Sequence, residues 1–329
     1  MMTGPMWAPT QAPDLQRLLA FHPQPVPLFP IACTLALIAY TGATIRLHRR
    51  GDRWPVGRTL AFIGGLISVL AVTGTGIGGY GMRLFSVHMF QHMVLSMLSP
   101  VLLLLGAPIT LALRTLPGGR RGPRGLLLSI LHSRAMRLLT SPLVTIPLFL
   151  GSLYGLYFTT LFDVAMSTWW GHDWMLAHFL TVGLLFFWPI VAIDPSPRRA
   201  GHGLRLLELL ATTPFHAFFG IAVMMSTHPV VGFFRHSSGI WRISSAGDQN
   251  TAGSIAWAFG EVPTAILVVL IAVSWAKTSD REARRHDRLA DRTGDRELHD
   301  YNAYLAALAS GSADGLRRIE PAQRHVRSS

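Results

Sequence analysis

The stretch HMFQHMVLSM, residues 88–97, sets two imidazoles four residues apart beside three thioethers. On a helix, His88 and His92 share one face, Ser96 and Ser99 continue that stripe, and Gln91 borders it. Met89, Met93 and Met97 form a second stripe next to the first. Imidazole with thioether is a donor set that suits copper, and thioether favours Cu(I). Two histidines at i and i+4 offer a bidentate edge, and a third ligand from another helix would complete a low-coordinate site. The plainer alternative is packing: an intramembrane histidine often serves only as a hydrogen-bonded helix contact, and methionine fills gaps.

Three other apolar segments carry similar groups. WWGHDWMLAHFL places His178 about 9 Å into its helix, with Met175 one turn above it. TTPFHAFFGIAVMMSTHP places His216 near mid-depth, with Gly220, Met224 and Thr227/His228 following on the same face. In DQNTAGSIAWAFGEVP, Asn250, Ser254, Trp257, Glu261 and Thr264 share a face, with Asp248 just ahead. Four helices can therefore aim His, Met, Asn and Glu at one cavity. The expected metal ligands are His88, His92, His178 and His216, with Met89, Met93 and Met224 as softer candidates. Gln91, Asp248 and Glu261 would support them by orienting ligands or balancing charge. An ionised Glu261 at mid-membrane would cost ~2.5–3.5 kcal/mol, so it needs a partner, a proton or water.

These residues need lipid-spanning elements to hold them. Half of the 329 residues are hydrophobic and 14% are charged, which is too apolar for an ordinary soluble domain. About 20 apolar residues span a bilayer as a helix. Seven segments qualify: 28–47, 57–79, 84–113, 142–162, 172–193, 204–230 and 251–276. The third contains Pro100, Gly106 and Pro108, and is expected to end near Pro100–Gly106 with GAPITLAL as a kinked continuation. The fold class expected is an all-α, polytopic seven-helix bundle. Residues 1–27 would precede it outside, and 277–329 would follow as a charged cytoplasmic helical tail with a disordered end. No cleavable signal peptide is evident before the first span.

Charge supports the same count. The net charge of +12 does not point to nucleic acid, because the basic residues sit in short runs between apolar segments. Loops 46–58, 114–141 and 194–205 and the tail after 276 hold 25 of the 29 basic residues; the alternate segments hold Arg17, Arg83, Arg235 and Arg242. By the positive-inside rule the amino terminus is outside and the carboxyl terminus cytoplasmic. The tail alternates acids and Arg at helical spacing, then sets Leu298, Tyr301, Leu305 and Leu308 on one face, as in a helix laced with ion pairs.

Several chemistries can be set aside. A single cysteine, Cys33, makes neither an internal disulfide nor a CxxC metal clip. The only lysine, Lys277, lies at the cytoplasmic end of the last span, which excludes a mid-membrane retinal Schiff base. No Ser/His/Asp triad, phosphate loop or HExxH motif occurs, so no enzyme activity is expected. Haem competes for the same histidines, since facing helices could supply axial ligands. A haem-modifying enzyme, a copper transporter and a pure scaffold are the remaining rivals.

WPVGRTLAF, FSVHMFQHMVLSMLSPVLLLLGAPITLALR, FHAFFG, DQNTAGSIAW and the DYNAYLAALA tail together resemble the CtaG family of integral-membrane, caa3-type cytochrome c oxidase assembly factors. The resemblance runs from about residue 28 to 309, and the HMxQH element with its downstream GAP is its most specific part. It implies a plasma-membrane protein that helps mature a haem–copper oxidase. Its partners would be oxidase subunits or another copper chaperone, within the lipid bilayer. Copper comes from the residue chemistry, and the oxidase comes from the resemblance.

Overall fold

The computed structural model describes residues 4–119, 122–198, 200–235, 241–293 and 296–309. These fold as helices with no β-strand among them, only an isolated bridge between Phe21 and Thr75. In chain order the helices are α1 (Leu15–Leu19), α2 (Leu28–Arg49), α3 (Val56–Thr73), α4 (Gly76–Tyr80) and α5 (Phe85–Met93). A π-helical turn (Val94–Leu98) leads into α6 (Ser99–Leu105) and α7 (Pro108–Thr115). Then come α8 (Pro123–Leu131), α9 (Arg134–Leu139), α10 (Pro142–Tyr157), α11 (Leu161–Ala165), α12 (Trp169–Val191) and α13 (His202–Met225). A 3₁₀ turn (Gly232–Arg235), α14 (Ser245–Thr293) and α15 (Arg296–Ala309) complete the fold. It is an all-α membrane protein.

Among the described residues six segments are long and apolar enough to cross a bilayer: α2, α3, the run Phe85–Thr115, α12, α13, and Ser245–Arg288 of α14. The fourth expected span is the shorter α10, whose 16 residues reach ~24 Å at 1.5 Å per residue, against ~30 Å of hydrocarbon. Its helix ends at Tyr157, ahead of the expected 162. The sixth ends at Met225, where Ser226 turns extended. Thr227 and His228 therefore leave the helical face on which His216 and Met224 lie, because α13 stops short of the apolar run.

The third span breaks where its sequence suggests. Ala107 adopts a left-handed backbone (φ 50°) between α6 and α7. The Gly106 carbonyl freed by the break accepts a hydrogen bond from the Tyr40 hydroxyl at 2.8 Å. The Ile109 and Thr110 amides donate to the buried Asp194 carboxylate at 3.0 and 2.7 Å. Backbone groups left open by a helix break inside apolar surroundings must find partners, and here side chains from distant elements supply them.

Small residues set the closest helix contacts. A Cβ on Gly183 of α12 would sit 2.3 Å from the Ser96 carbonyl oxygen, so α12 presses its backbone against the π turn. A Cβ on Gly220 of α13 would meet the Trp257 amide nitrogen at 2.7 Å and the Gly253 carbonyl oxygen at 2.8 Å, where α13 crosses α14.

The chain divides into two compact units, residues 1–271 and 272–329. The first contains every candidate site residue. In the second, Tyr301, Leu305 and Leu308 of α15 are exposed. The side chain of Leu298 and the tail's expected disordered end, RRIEPAQRHVRSS, lie outside the described residues.

Candidate metal centre

The site begins with the way α5 begins. Leu84 enters in an extended conformation, and no side chain of its own neighbourhood caps the helix. Asp248, from the first turn of α14, does so instead. Its buried carboxylate accepts from the amides of Phe85 (2.6 Å) and Ser86 (3.1 Å) and from the Ser86 hydroxyl. A carboxylate at a helix start satisfies open N–H groups and complements the positive end of the helix dipole. This contact spans more than 160 residues of sequence and fixes the depth and rotation of the histidine helix.

One turn in, His88 is fully buried, and neither ring nitrogen has a hydrogen-bond partner. Phe162 meets it edge-on at 4.9 Å between ring centres, with Phe234 at 6.0 Å and Phe179 at 6.4 Å. The imidazole beside it is His172, at 6.2 Å. His172 is 1% exposed, and both of its nitrogens are also without hydrogen-bond partners. Its Nδ1 lies 3.8 Å from the Asp173 carboxylate. Gln91 donates to the Val72 carbonyl at 2.8 Å, while its own carbonyl oxygen is buried and unpaired.

One turn deeper, His92 is held quite differently. Its ring stacks on Phe179 at 3.7 Å and on Tyr157 at 5.4 Å, and its Nδ1 is 2.7 Å from the Tyr157 hydroxyl. The π turn follows at once, with the Ser96 hydroxyl donating to the His92 carbonyl. Single π turns recur at functional positions of helices.

His92, Ser96, Ser152 and His216 line a cavity of about 10 Å³, close to the size of one water molecule. Ser152 bonds His178 Nε2 at 2.8 Å. A second cavity of the same size also touches His216, walled by Thr212, Trp257, Glu261 and Thr264. A Cβ on Gly260 would meet His216 Nδ1 at 2.5 Å, so the glycine makes room for that ring.

The sequence-predicted residues thus fall into three settings. His88 is packed among aromatic rings beside His172. His92, His178 and His216 connect through Tyr157, Ser152 and small polar cavities. Met224 lies at the α13–α14 crossing, where the Ser254 hydroxyl reaches its sulfur at 3.2 Å. Met89 and Met93 are fully buried in the core, Asp248 caps α5, and Glu261 is exposed along α14 while walling the second cavity. Among the described residues no three or more His, Cys, Asp or Glu side chains cluster as a metal cage.

Sequence reasoning missed His172, Tyr157 and Ser152. The apolar run of this span begins at His172, yet α12 begins at Trp169 and carries His172 three residues in. His88 lies three residues into α5, so the two rings sit at matching positions in their helices. The HD pair within WWGHDW was the available signal.

Comparison with known proteins identifies the family. The family model for the cytochrome c oxidase caa3 assembly factor (Caa3_CtaG) matches residues 38–278. Uncharacterized proteins of Mycobacterium tuberculosis and Mycobacterium bovis are each 44% identical over 288 residues, covering 86% of this chain and 44% of theirs. One from Mycobacterium leprae is 43% identical over 278 residues, covering 83% of this chain and 42% of its own. The chain therefore spans less than half the length of these relatives. No solved structure matches it. With a family model covering most of its length, from the second half of α2 well into α14, the chain belongs to the cytochrome c oxidase caa3 assembly factor family.

Proposed function

We propose that this protein assists cytochrome c oxidase assembly by holding Cu(I) as cargo and passing it to an oxidase subunit or to a copper chaperone. It acts as a carrier, not as a catalyst. The observation that carries this is a group of buried imidazoles on adjoining helices, among them ring nitrogens on α5 and α12 that have no hydrogen-bond partner. Neutral imidazole is a copper ligand, and a centre without a closed cage suits an ion that must leave again. Ligand exchange moves Cu(I) without a change of oxidation state, so transfer needs neither oxidant nor reductant.

The distribution of basic residues supports an orientation with the amino-terminal ends of α5 and α12 on the outer side and the 25-residue basic set inside. Copper would then enter and leave from the outer face. In a Cys33-substituted background, a cysteine at Ser167 should label from outside intact cells and one at Ser129 should not. Labelling of both from one side would overturn the orientation.

Deletion of the gene should lower cytochrome c oxidase activity and the copper content of the residual oxidase while sparing copper-independent respiration. Added copper should restore part of the activity by mass action. An oxidase with normal copper and missing haem in the deletion strain would defeat the copper reading.

A further inference from the structure

The geometry points to a specific two-ligand Cu(I) site formed by His88 and His172, with Asp173 as its counter-charge. This rests on the proposed copper-carrier function and names the ligands within it.

Four observations converge. Both imidazoles are essentially inaccessible, and all four of their ring nitrogens lack hydrogen-bond partners. Burying a polar ring without a partner is costly, and such groups in a native fold need an explanation, which a bound ion supplies. The ring centres are 6.2 Å apart. An ion bound linearly by two imidazoles, with bonds of ~2.0 Å and ring nitrogens ~1.1 Å from their ring centres, needs ~6 Å between those centres. The two rings also come from two different helices, each three residues past its helix start. A buried monovalent cation between neutral rings needs a nearby negative charge, and the Asp173 carboxylate lies 3.8 Å from His172 Nδ1.

The donor count selects the metal. Zinc takes four ligands in a structural site and three protein ligands plus water in a catalytic one. Among the described residues no third His, Cys, Asp or Glu joins the pair. A d¹⁰ monovalent ion accepts two donors, so Cu(I) suits this pair where zinc does not. The aromatic wall of Phe162, Phe179 and Phe234 keeps water from the pair, which favours the lower charge state.

Entry would pass Phe234. It sits on the 3₁₀ turn Gly232–Arg235, stacks on Phe85 at 5.3 Å, and is 6.0 Å from His88. Asp163 holds that turn by accepting from the Phe233 amide at 2.8 Å.

The test uses the full-length protein in detergent, reduced and loaded with Cu(I), then titrated with a Cu(I) chelator. His88→Ala and His172→Ala should each weaken retention by more than the ~10–100-fold typical of losing a supporting partner, and Asp173→Asn should weaken it by about that amount. His92→Ala and His178→Ala should stay close to wild type. His172→Met guards against misfolding: it keeps a Cu(I) donor but not a zinc one, and should recover Cu(I) retention while monodispersity is unchanged. Retention lost in His92→Ala but intact in His172→Ala would overturn the pair and leave the carrier function standing. Failure of the wild type to hold Cu(I) at all would overturn both.

Discussion

His88 and His92 lie one turn apart on α5, yet their surroundings differ in kind. His88 faces His172 in a pocket of aromatic rings, with no hydrogen bond to either ring. His92 is bonded to Tyr157 and opens on a water-sized cavity shared with His216 and Ser152. The difference comes from which helix approaches at each level. Near the start of α5 the neighbour is the entrance of α12, which contributes an imidazole. One turn deeper it is the end of α10, which contributes hydroxyls. Satisfied imidazoles are stable structure, whereas unsatisfied ones are poised for a ligand. Shared helical face and shared residue type therefore did not give shared chemistry.

The largest expected effect is on the element that sets both levels. Asp248→Ala strips a buried and a part-buried amide of their acceptor and removes a charge-assisted cap. It should destabilise the fold by about 2–3 kcal/mol, against the ~1 kcal/mol of an ordinary cap, and weaken Cu(I) retention as well. Asp194→Ala makes the matching lesion at the α7 start and should cost similar stability while leaving Cu(I) retention alone. Chemical unfolding in detergent together with chelator titration separates the two; equal loss of copper in both would erase the contrast between regions.

Gly183→Ala comes next. Its Cβ would fall 2.3 Å from the Ser96 carbonyl oxygen, and backbone cannot step aside as a side-chain tip can. Overpacking of this kind costs ~1–3 kcal/mol. The strain should appear as a lowered Tm, because α12 carries His172 and Phe179 and is pressed on the π turn. An unchanged Tm would mean that the two helices are not in such close contact.

The legible part of the architecture was the part written in hydropathy and charge. Apolar runs marked the helices, and Gly106 with Pro108 marked the break, which falls at Ala107. The i,i+4 pair of His88 and His92 was visible as a shared face. Partners were not visible, because they depend on which helices pack together. Asp248 lies more than 160 residues from the amides it caps, and Tyr157 is 65 residues from His92. The π turn at Val94–Leu98 has no periodic signature, and Gly183 of α12 packs directly against its Ser96. The last span was expected to end at 276, yet α14 runs unbroken to Thr293, since alternating acids and Arg sustain a helix beyond the apolar run.

Smaller effects should come from the hydrogen-bonded region. Tyr157→Phe removes the His92 partner, and polar contacts between membrane helices average ~0.6 kcal/mol with a maximum near 1.7. Thermal unfolding should fall within that range, with Cu(I) retention unaltered. Ser152→Ala, which frees the half-buried His178, should lie at the bottom of the range. Either substitution lowering Cu(I) retention as far as His172→Ala would move the metal centre one turn deeper.

X-ray absorption at the copper edge tests the central claim most directly. The Cu(I)-loaded full-length protein should give a two-coordinate spectrum fitted by two imidazole nitrogens at ~2.0 Å, without a sulfur shell. His172→Ala should lose that signature, and His92→Ala should keep it. A sulfur-dominated spectrum, or one that His172→Ala leaves unchanged, would contradict the account.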